Sequence, residues 1–499
     1  MMFFAIPLAW LQLKRERVRL LVAIAGISFA VILMFMQLGF RDALFDSAVR
    51  FHSSLQGDIF LLNPKSTALI AMTNFSDRRL YQAASYPGVE SFSPIYLDFG
   101  IWTNPAQTDR NTRSILVIGV NPEQQIFDIS QLADNPQRLE ETQRYLDQIT
   151  LSDVLLFDRE SRPEFGQIAC WFRLHERARG KSFSDLEMEQ ITKDCGVKTV
   201  ADLDSVEQEF FGADGPKVPV TTEVSNRRVT VGGLFALGAS FGADGNALTS
   251  DLNFLRIFSR RRKGTIDIGL IKLEPNVDVN QVLTQMRPPT APIGEGPLYP
   301  VRQLIQRFGG PPAPEARACF ADATDQEKQN WPRCLCRLTG NAGNIGAGYL
   351  PPDVCALSKT EFVAFEKYYW QTSTTIGFIF AFGTAMGFMV GTIIVYQILY
   401  TDVTDHLAEY ATLKAMGYRN RYLLSVVFQE ALILAVLGFI PGVVISTLLY
   451  NTVRTATKLP IAMGPGRALM ILFLAMLMCV ISGTIAVRKV QSADPAEIF

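Results

Sequence analysis

The sequence predicts an α+β membrane protein, with four transmembrane helices and a large mixed α+β extracytoplasmic domain between the first and the second. Three observations carry this reading. Four apolar runs reach membrane length, one near the start of the chain and three after residue 367. Between the first two runs, residues 41–367 alternate polar and apolar positions as water-soluble strands and helices do. The mean hydropathy of +0.16 suits a chain that is partly in lipid and partly a sizeable soluble domain. At 499 residues and a formal net charge of -1, the chain is long enough for more than one domain and too neutral for a nucleic-acid binder.

The spans are assigned to residues 20–40, 368–400, 422–450 and 468–487. Three of them contain no charged residue; the third contains Glu430, which a cytoplasmic extension of that helix would keep out of lipid. Lys14, Arg15, Arg17 and Arg19 precede the first span, Lys414, Arg419 and Arg421 lie between the second and third, and Arg488 and Lys489 follow the fourth. Cationic flanks mark the cytoplasmic side. Both termini and residues 401–421 are then inside, and residues 41–367 and the short loop 451–467 outside. Arg454, Lys458 and Arg467 in that short loop run against the pattern but are outnumbered. Residues 1–19, with Pro7 placed for a first helical turn and Leu8, Trp10, Leu11 and Leu13 before the basic cluster, read as an interfacial helix or an extension of the first span. The first apolar run is longer than a signal core and no small-residue cleavage site follows it. Residues 488–499 form a cytoplasmic tail.

Small residues mark where the spans can approach each other. Ala23, Gly26 and Ala30 do so in the first, and Gly383, Gly387 and Gly391 form a four-residue stripe in the second that suits the first span or a second protomer. Tyr368, Tyr369 and Trp370 read as an outer aromatic belt. In the third span, Gly438, Pro441 and Gly442 predict a kink, since proline removes a helix hydrogen bond.

In the soluble region, residues 58–62, 95–102, 114–120, 228–237 and 265–273 read as strands, and residues 76–85 and 250–258 as helices with polar caps. Two segments differ in texture: residues 167–217 are charged and locally helical, and residues 287–358 are rich in Pro and Gly. They hold six of the seven cysteines: Cys170, Cys195, Cys319, Cys334, Cys336 and Cys355. On an outward face these read as disulfides of unassigned pairing, with a metal site or buried free thiols as the competing readings. Cys334-Leu-Cys336 is too closely spaced for a zinc knuckle and no histidine follows it, so no metal is assigned. Cys479 lies alone in the fourth span.

The stretch 400–424 is charged and lies between two apolar runs. Asp402 can cap a helix, with Asp405 three residues on and Gly417 closing its end. Leu407, Tyr410, Ala411 and Lys414 share one face, and Leu413, Met416 and Gly417 the adjoining one. Such a helix either lies on the membrane surface and docks into a soluble partner, or is a solvated connector. Catalytic chemistry is missing. Gly180-Lys181-Ser182 resembles the end of a phosphate-binding loop, but His175 stands where its first glycine would be. The three histidines, His52, His175 and His406, are scattered, and no hydrolase or kinase signature occurs. Neither an enzyme nor a cofactor is expected, and any nucleotide hydrolysis belongs to another polypeptide.

The wording of several segments resembles the DevC family of ABC transporter permeases, within the MacB/FtsX-type superfamily. The segments are DVTDHLAEYATLKAMGY from Asp402, YLLSVVFQEALILAVLGFIP from Tyr422, PIAM from Pro460, SADPAEIF from Ser492, NRRVTVGGLFALGASFGADG from Asn226 and SDLNFLRIF from Ser250. The resemblance implies that residues 401–421 form the coupling helix loop that seats in a separate ATPase subunit. Asp405, His406, Leu407, Glu409, Tyr410, Lys414, Met416 and Gly417 are its expected contacts. It further implies a homodimer in the inner membrane, a DevA-like ABC ATPase, a DevB-like periplasmic adaptor, a TolC-like outer-membrane duct, and export of glycolipid or other envelope material. Related members instead extract lipoproteins or, like FtsX, regulate a periplasmic hydrolase. Residues 167–217 and 287–358 depart from the family pattern as insertions.

Overall fold

The computed structural model describes residues 17–106, 111–133, 138–211, 219–240, 242–286, 350–351, 353–372, 375–405, 412, 416, 420–457 and 459–491. Two compact units divide the chain. One comprises residues 1–44 and 375–499, the other residues 45–374.

The first unit is helical. Four helices, Arg17–Ala48, Ile376–Asp405, Asn420–Thr457 and Pro465–Gln491, carry stretches long and apolar enough to cross a membrane. The fold class is therefore the α+β membrane protein read from the sequence. Of the expected interfacial helix, residues 17–19 belong to the first long helix and the remainder lies outside the described residues. The third helix runs through Pro441 without interruption. Many large apolar side chains, among them Phe29, Phe378, Phe382, Ile440, Leu448, Phe473 and Ile485, face outward, as a lipid solvent permits.

The second unit is built on a nine-stranded sheet. Its strands, with those of a two-stranded ribbon, are β1 (Ile59–Leu62), β2 (Phe75–Ser76), β3 (Val89–Thr103), β4 (Thr112–Val120), β5 (Val154–Asp158), β6 (Thr221–Val224), β7 (Arg227–Phe235), β8 (Asn246–Ser250), β9 (Thr265–Ile266), β10 (Ile268–Leu273) and β11 (Cys355–Ser358). The order in the large sheet is β11-β1-β10-β3-β4-β8-β5-β7-β6, and β6 pairs back onto β3 through Trp102 opposite Val224. Six strands thus close into a barrel, which covers the β6 edge and leaves β11 at the other edge of the sheet. Trp102 fills its interior, donating Nε1–H to the Phe165 carbonyl at 3.0 Å and packing 5.1 Å from the Phe157 ring. Strands β4 and β8, and β5 and β7, run parallel. Strand β5 is buried on both faces, so its sequence Val-Leu-Leu-Phe-Asp shows no period-two alternation.

The helices used below are α1 (Arg50–Ser54), α2 (Leu139–Gln148), α3 (Ile168–Ala178), α4 (Asp185–Asp194) and α5 (Lys359–Thr372). Within residues 168–211 the helices Ile168–Ala178, Asp185–Asp194 and Leu203–Phe211 form, as the texture suggested, and α3 buries Ile168, Cys170, Trp171, Phe172 and Leu174 in the main core. The Cys170–Cys195 disulfide ties α3 to the end of α4. Lys181, from the apparent phosphate-loop remnant, instead contacts Glu141 of α2 and, at 2.8 Å, Glu176 of α3. Arg173 pairs with the same Glu141 at 2.7 Å. Burial pushes the Glu141 carboxyl up, but Arg173 and Lys181 outweigh it and hold the group well below the usual carboxylate range.

Residues 355–358, at the end of the Pro- and Gly-rich segment, form β11, paired with β1 in the sheet, because Cys355, Ala356 and Leu357 are apolar enough to be buried there. Cys355 is itself disulfide-bonded, while Cys319, Cys334 and Cys336 lie outside the described residues. One sequence expectation is corrected: Trp370 is not part of an exposed belt. It sits on α5, buried, and donates Nε1–H to Glu366 at 2.8 Å.

Candidate coupling site

The second-span helix continues beyond the apolar run to Asp405, since residues 400–405 contain neither Pro nor Gly and the Thr401 and Thr404 hydroxyls are satisfied by carbonyls four residues back. Asp402 therefore lies in that helix's last turn, buried, and does not cap a new helix as the sequence suggested. Two acids at a helix C-terminus oppose the macrodipole, as does a cation at an N-terminus. The fold sets these misfits against each other. Arg19, in the first turn of the first-span helix, donates from Nη1 to Asp402 Oδ1 at 3.3 Å and from Nη2 to Asp405. The Asp402 side chain is only 7% exposed, so solvent screens that arm weakly.

Asp405 is half exposed at the point where the helix ends. Met416 is 63% exposed, and its N–H donates to the Thr412 carbonyl at 3.0 Å, which closes one turn. His406, Leu407, Glu409, Tyr410, Lys414 and Gly417 lie outside the described residues.

The glycine stripe of the second span faces the first. A Cβ on Gly383 would stand 2.5 Å from Gln37, and one on Gly391 would stand 2.6 Å from Ala30 and still closer to Met478 of the fourth span. Gly387 has more room, its nearest neighbour being Leu33 at 3.4 Å. The third span meets the first in the same way: Gly438 lies against Ile27 and Gly442 against Val31, and Ser28 Oγ donates to the Gly438 carbonyl at 2.8 Å. The Ser482 hydroxyl of the fourth span donates to the Thr392 carbonyl of the second at 2.7 Å. Arg467, one of the bases that ran against the orientation pattern, is neutralised by Asp42 at 2.8 Å. The four helices thus form one packed body, with the first span touching both helices that bracket residues 406–419.

Sequence reading identified Arg19 only as a flanking base. The available signal was an unmatched cation at the start of one span and two acids at the end of another, on the same expected side of the membrane. Among the described residues no group of His, Cys, Asp and Glu could hold a metal ion. Arg19 joins the first-span helix to the last described turn of the second.

Comparison with the curated proteins found no match. Among solved structures the chain is similar to the periplasmic region of MacB from Actinobacillus actinomycetemcomitans, at 10% identity over 46% of this chain and 84% of that one, with a TM-score of 0.23. It is also similar to the extracellular domain of the noncanonic ABC-type transporter YknZ from Gram-positive bacteria, at 10% identity over 45% of this chain and 87% of that one, with a TM-score of 0.22. Residues 367–495 match the family model of the FtsX-like permease C-terminal domain.

Proposed function

We propose that the chain is the permease subunit of a MacB-like, DevC-type ABC exporter in the inner membrane, working as a homodimer with both termini in the cytoplasm. A separate DevA-like ATPase binds residues 405–417, and its closing motion tilts the second and third spans. The sheet-containing unit lies outside and, with a DevB-like adaptor and a TolC-like duct, exports glycolipid or other envelope material. The observation that carries this reading is the match of residues 367–495 to the FtsX-like permease domain. The Arg19 contact with Asp402 and Asp405 supports it, because it engages the first span in any motion of the second.

The test is co-reconstitution with the cognate nucleotide-binding subunit and replacement of both Glu409 and Tyr410 by Ala. A charge and a large ring are the residue types on which interface energy concentrates. The expected result is intact membrane insertion with ATPase stimulation reduced several-fold, in line with coupling energies of about 1–3 kcal/mol. Wild-type stimulation in the double variant would make the loop a connector only. Cell-wall cleavage without export would favour an FtsX-like regulator, and release of lipoproteins a lipoprotein-extracting permease.

A further inference from the structure

A second group of polar residues lies buried in the sheet-containing unit, where the proposed coupling mechanism makes no use of it. His52 of α1 and Glu366 of α5 are 0% and 1% exposed, and His52 Nε2 stands 3.5 Å from Glu366 Oε2. Glu366 joins three chain segments. Its Oε2 accepts the Leu69 N–H at 2.7 Å, from the 3₁₀ turn Leu69–Ala71, and its Oε1 accepts the Trp370 Nε1–H at 2.8 Å. Neither ring nitrogen of His52 makes a hydrogen bond. The imidazole is walled by the rings of Phe362, at 4.3 Å, and Phe51, at 5.7 Å.

The geometry points to a proton-operated clasp: one proton on Glu366 decides whether this carboxyl holds the Leu69–Ala71 turn or turns to His52. The carboxylate form accepts both N–H groups in charge-assisted bonds, and breaking either leaves a buried charge short of a donor. In the acid form, the hydrogen on Oε2 makes that oxygen a poor acceptor for Leu69. It has a ready recipient in His52 Nε2, the unsatisfied nitrogen at 3.5 Å. The balance is a single proton taken from solvent. It leaves Glu366 neutral, with the imidazole accepting at Nε2 and carrying its own hydrogen on Nδ1. The turn is then held to α5 by a weakened contact.

Burial pushes the Glu366 carboxyl up to about 7, against the lowering by Trp370 and Leu69, and burial alone pushes His52 down to about 3. Near neutral pH the proton therefore resides on the carboxyl. The other charged groups on the two helices and their neighbours are engaged elsewhere or face water. Arg50 donates to the Leu237 carbonyl, Lys359 to the Leu55 carbonyl, Glu361 accepts from Ser358 N–H, Asp128 from Ser130 N–H, and Lys65 and Lys367 are exposed. In sequence, α1 follows the first span and α5 precedes the second, so the clasp sits on the two segments through which the chain enters and leaves this unit.

The test is amide hydrogen exchange of the full-length protein in detergent from pH 6 to 8.5, corrected for intrinsic exchange and read over residues 66–72. Expected is about a tenfold loss of protection as pH falls through the Glu366 titration, the scale of replacing a charge-assisted bond by a weak one. Glu366→Gln, a near-isosteric mimic of the acid form, should show the low protection at every pH. His52→Phe, which keeps the ring packing but removes the recipient, should lower the midpoint by about one pH unit. Uniform protection of the wild type across this range overturns the proposal, as does a pH-dependent loss that survives in Glu366→Gln. If Glu366→Gln does not fold, the midpoint shift in His52→Phe decides alone, and an unmoved midpoint overturns it.

Discussion

Arg19 donates a hydrogen bond to Asp402 across 383 positions of sequence, from the first turn of the first-span helix to the last turn of the second. Each residue alone would be badly placed in its helix dipole, and together they fasten two spans at the end from which the 406–419 segment departs. Replacing Arg19 by Ala removes the guanidinium from a carboxylate that is 7% exposed. The expected cost is about 1–3 kcal/mol, read as a lowered denaturation midpoint in detergent. Arg19→Lys should recover only part of it, since an ammonium cannot present two forked donors. Equal midpoints for wild type and Arg19→Ala would show that the contact contributes nothing.

The glycine stripe makes a contrast within one helix. Gly391→Ala places a methyl 2.6 Å from Ala30, where the neighbour is itself a short side chain on a packed helix. Overpacking of this kind costs about 1–3 kcal/mol. Gly387→Ala meets Leu33 at an ordinary 3.4 Å, and the gain in helix propensity, up to about 1 kcal/mol, should leave it neutral or slightly stabilising. Steric-trapping or denaturation measurements should show a loss for Gly391→Ala and none for Gly387→Ala, and a similar loss for both contradicts this packing.

The Cys170–Cys195 bridge closes a segment of 25 positions that carries α3 into the main core. Reduction, or the Cys170→Ala/Cys195→Ala double variant, should destabilise the sheet-containing unit by about 2–4 kcal/mol. Thiol counting separates this from the membrane unit, where Cys479 is free and buried and should react only after denaturation. An unchanged unfolding transition in the double variant would make the bridge dispensable.

Glu366 also leaves a mark on global stability. Its folded-state pKa, about 7, lies above its ordinary 4.5, so its contribution is complete below pH 4.5 and is lost as pH rises through 7. Glu366→Gln does not ionise. Relative to wild type it should gain about 3 kcal/mol between pH 4.5 and pH 8, the other titrating groups cancelling in the difference. Chemical denaturation of both proteins at several pH values reads this directly, and a constant difference across the range would mean that Glu366 ionises like an exposed carboxyl.

What the sequence by itself determined was whatever rests on local periodicity and composition. Four runs of about twenty apolar residues suffice to specify spans, because hydrocarbon thickness sets that length regardless of neighbours. Strands such as Thr112–Val120 and Arg227–Phe235 and the capped helix Asp251–Ile257 were legible for the same reason. Tertiary structure decided what depends on distant partners. Val154–Asp158 is a strand because β7 and β8 flank it, and Cys355–Ser358 because β1 offers it an edge; neither carries an alternating pattern of its own. Asp402 reads locally as a helix cap, and only the packing of the first span on the second turns it into the partner of Arg19. His52 and Glu366 sit in unrelated stretches of sequence. Burial in one pocket makes them a pair, since removing water disfavours both charged forms, raising the carboxyl and lowering the imidazole, so that the proton belongs to Glu366 and His52 is left as an acceptor 3.5 Å away.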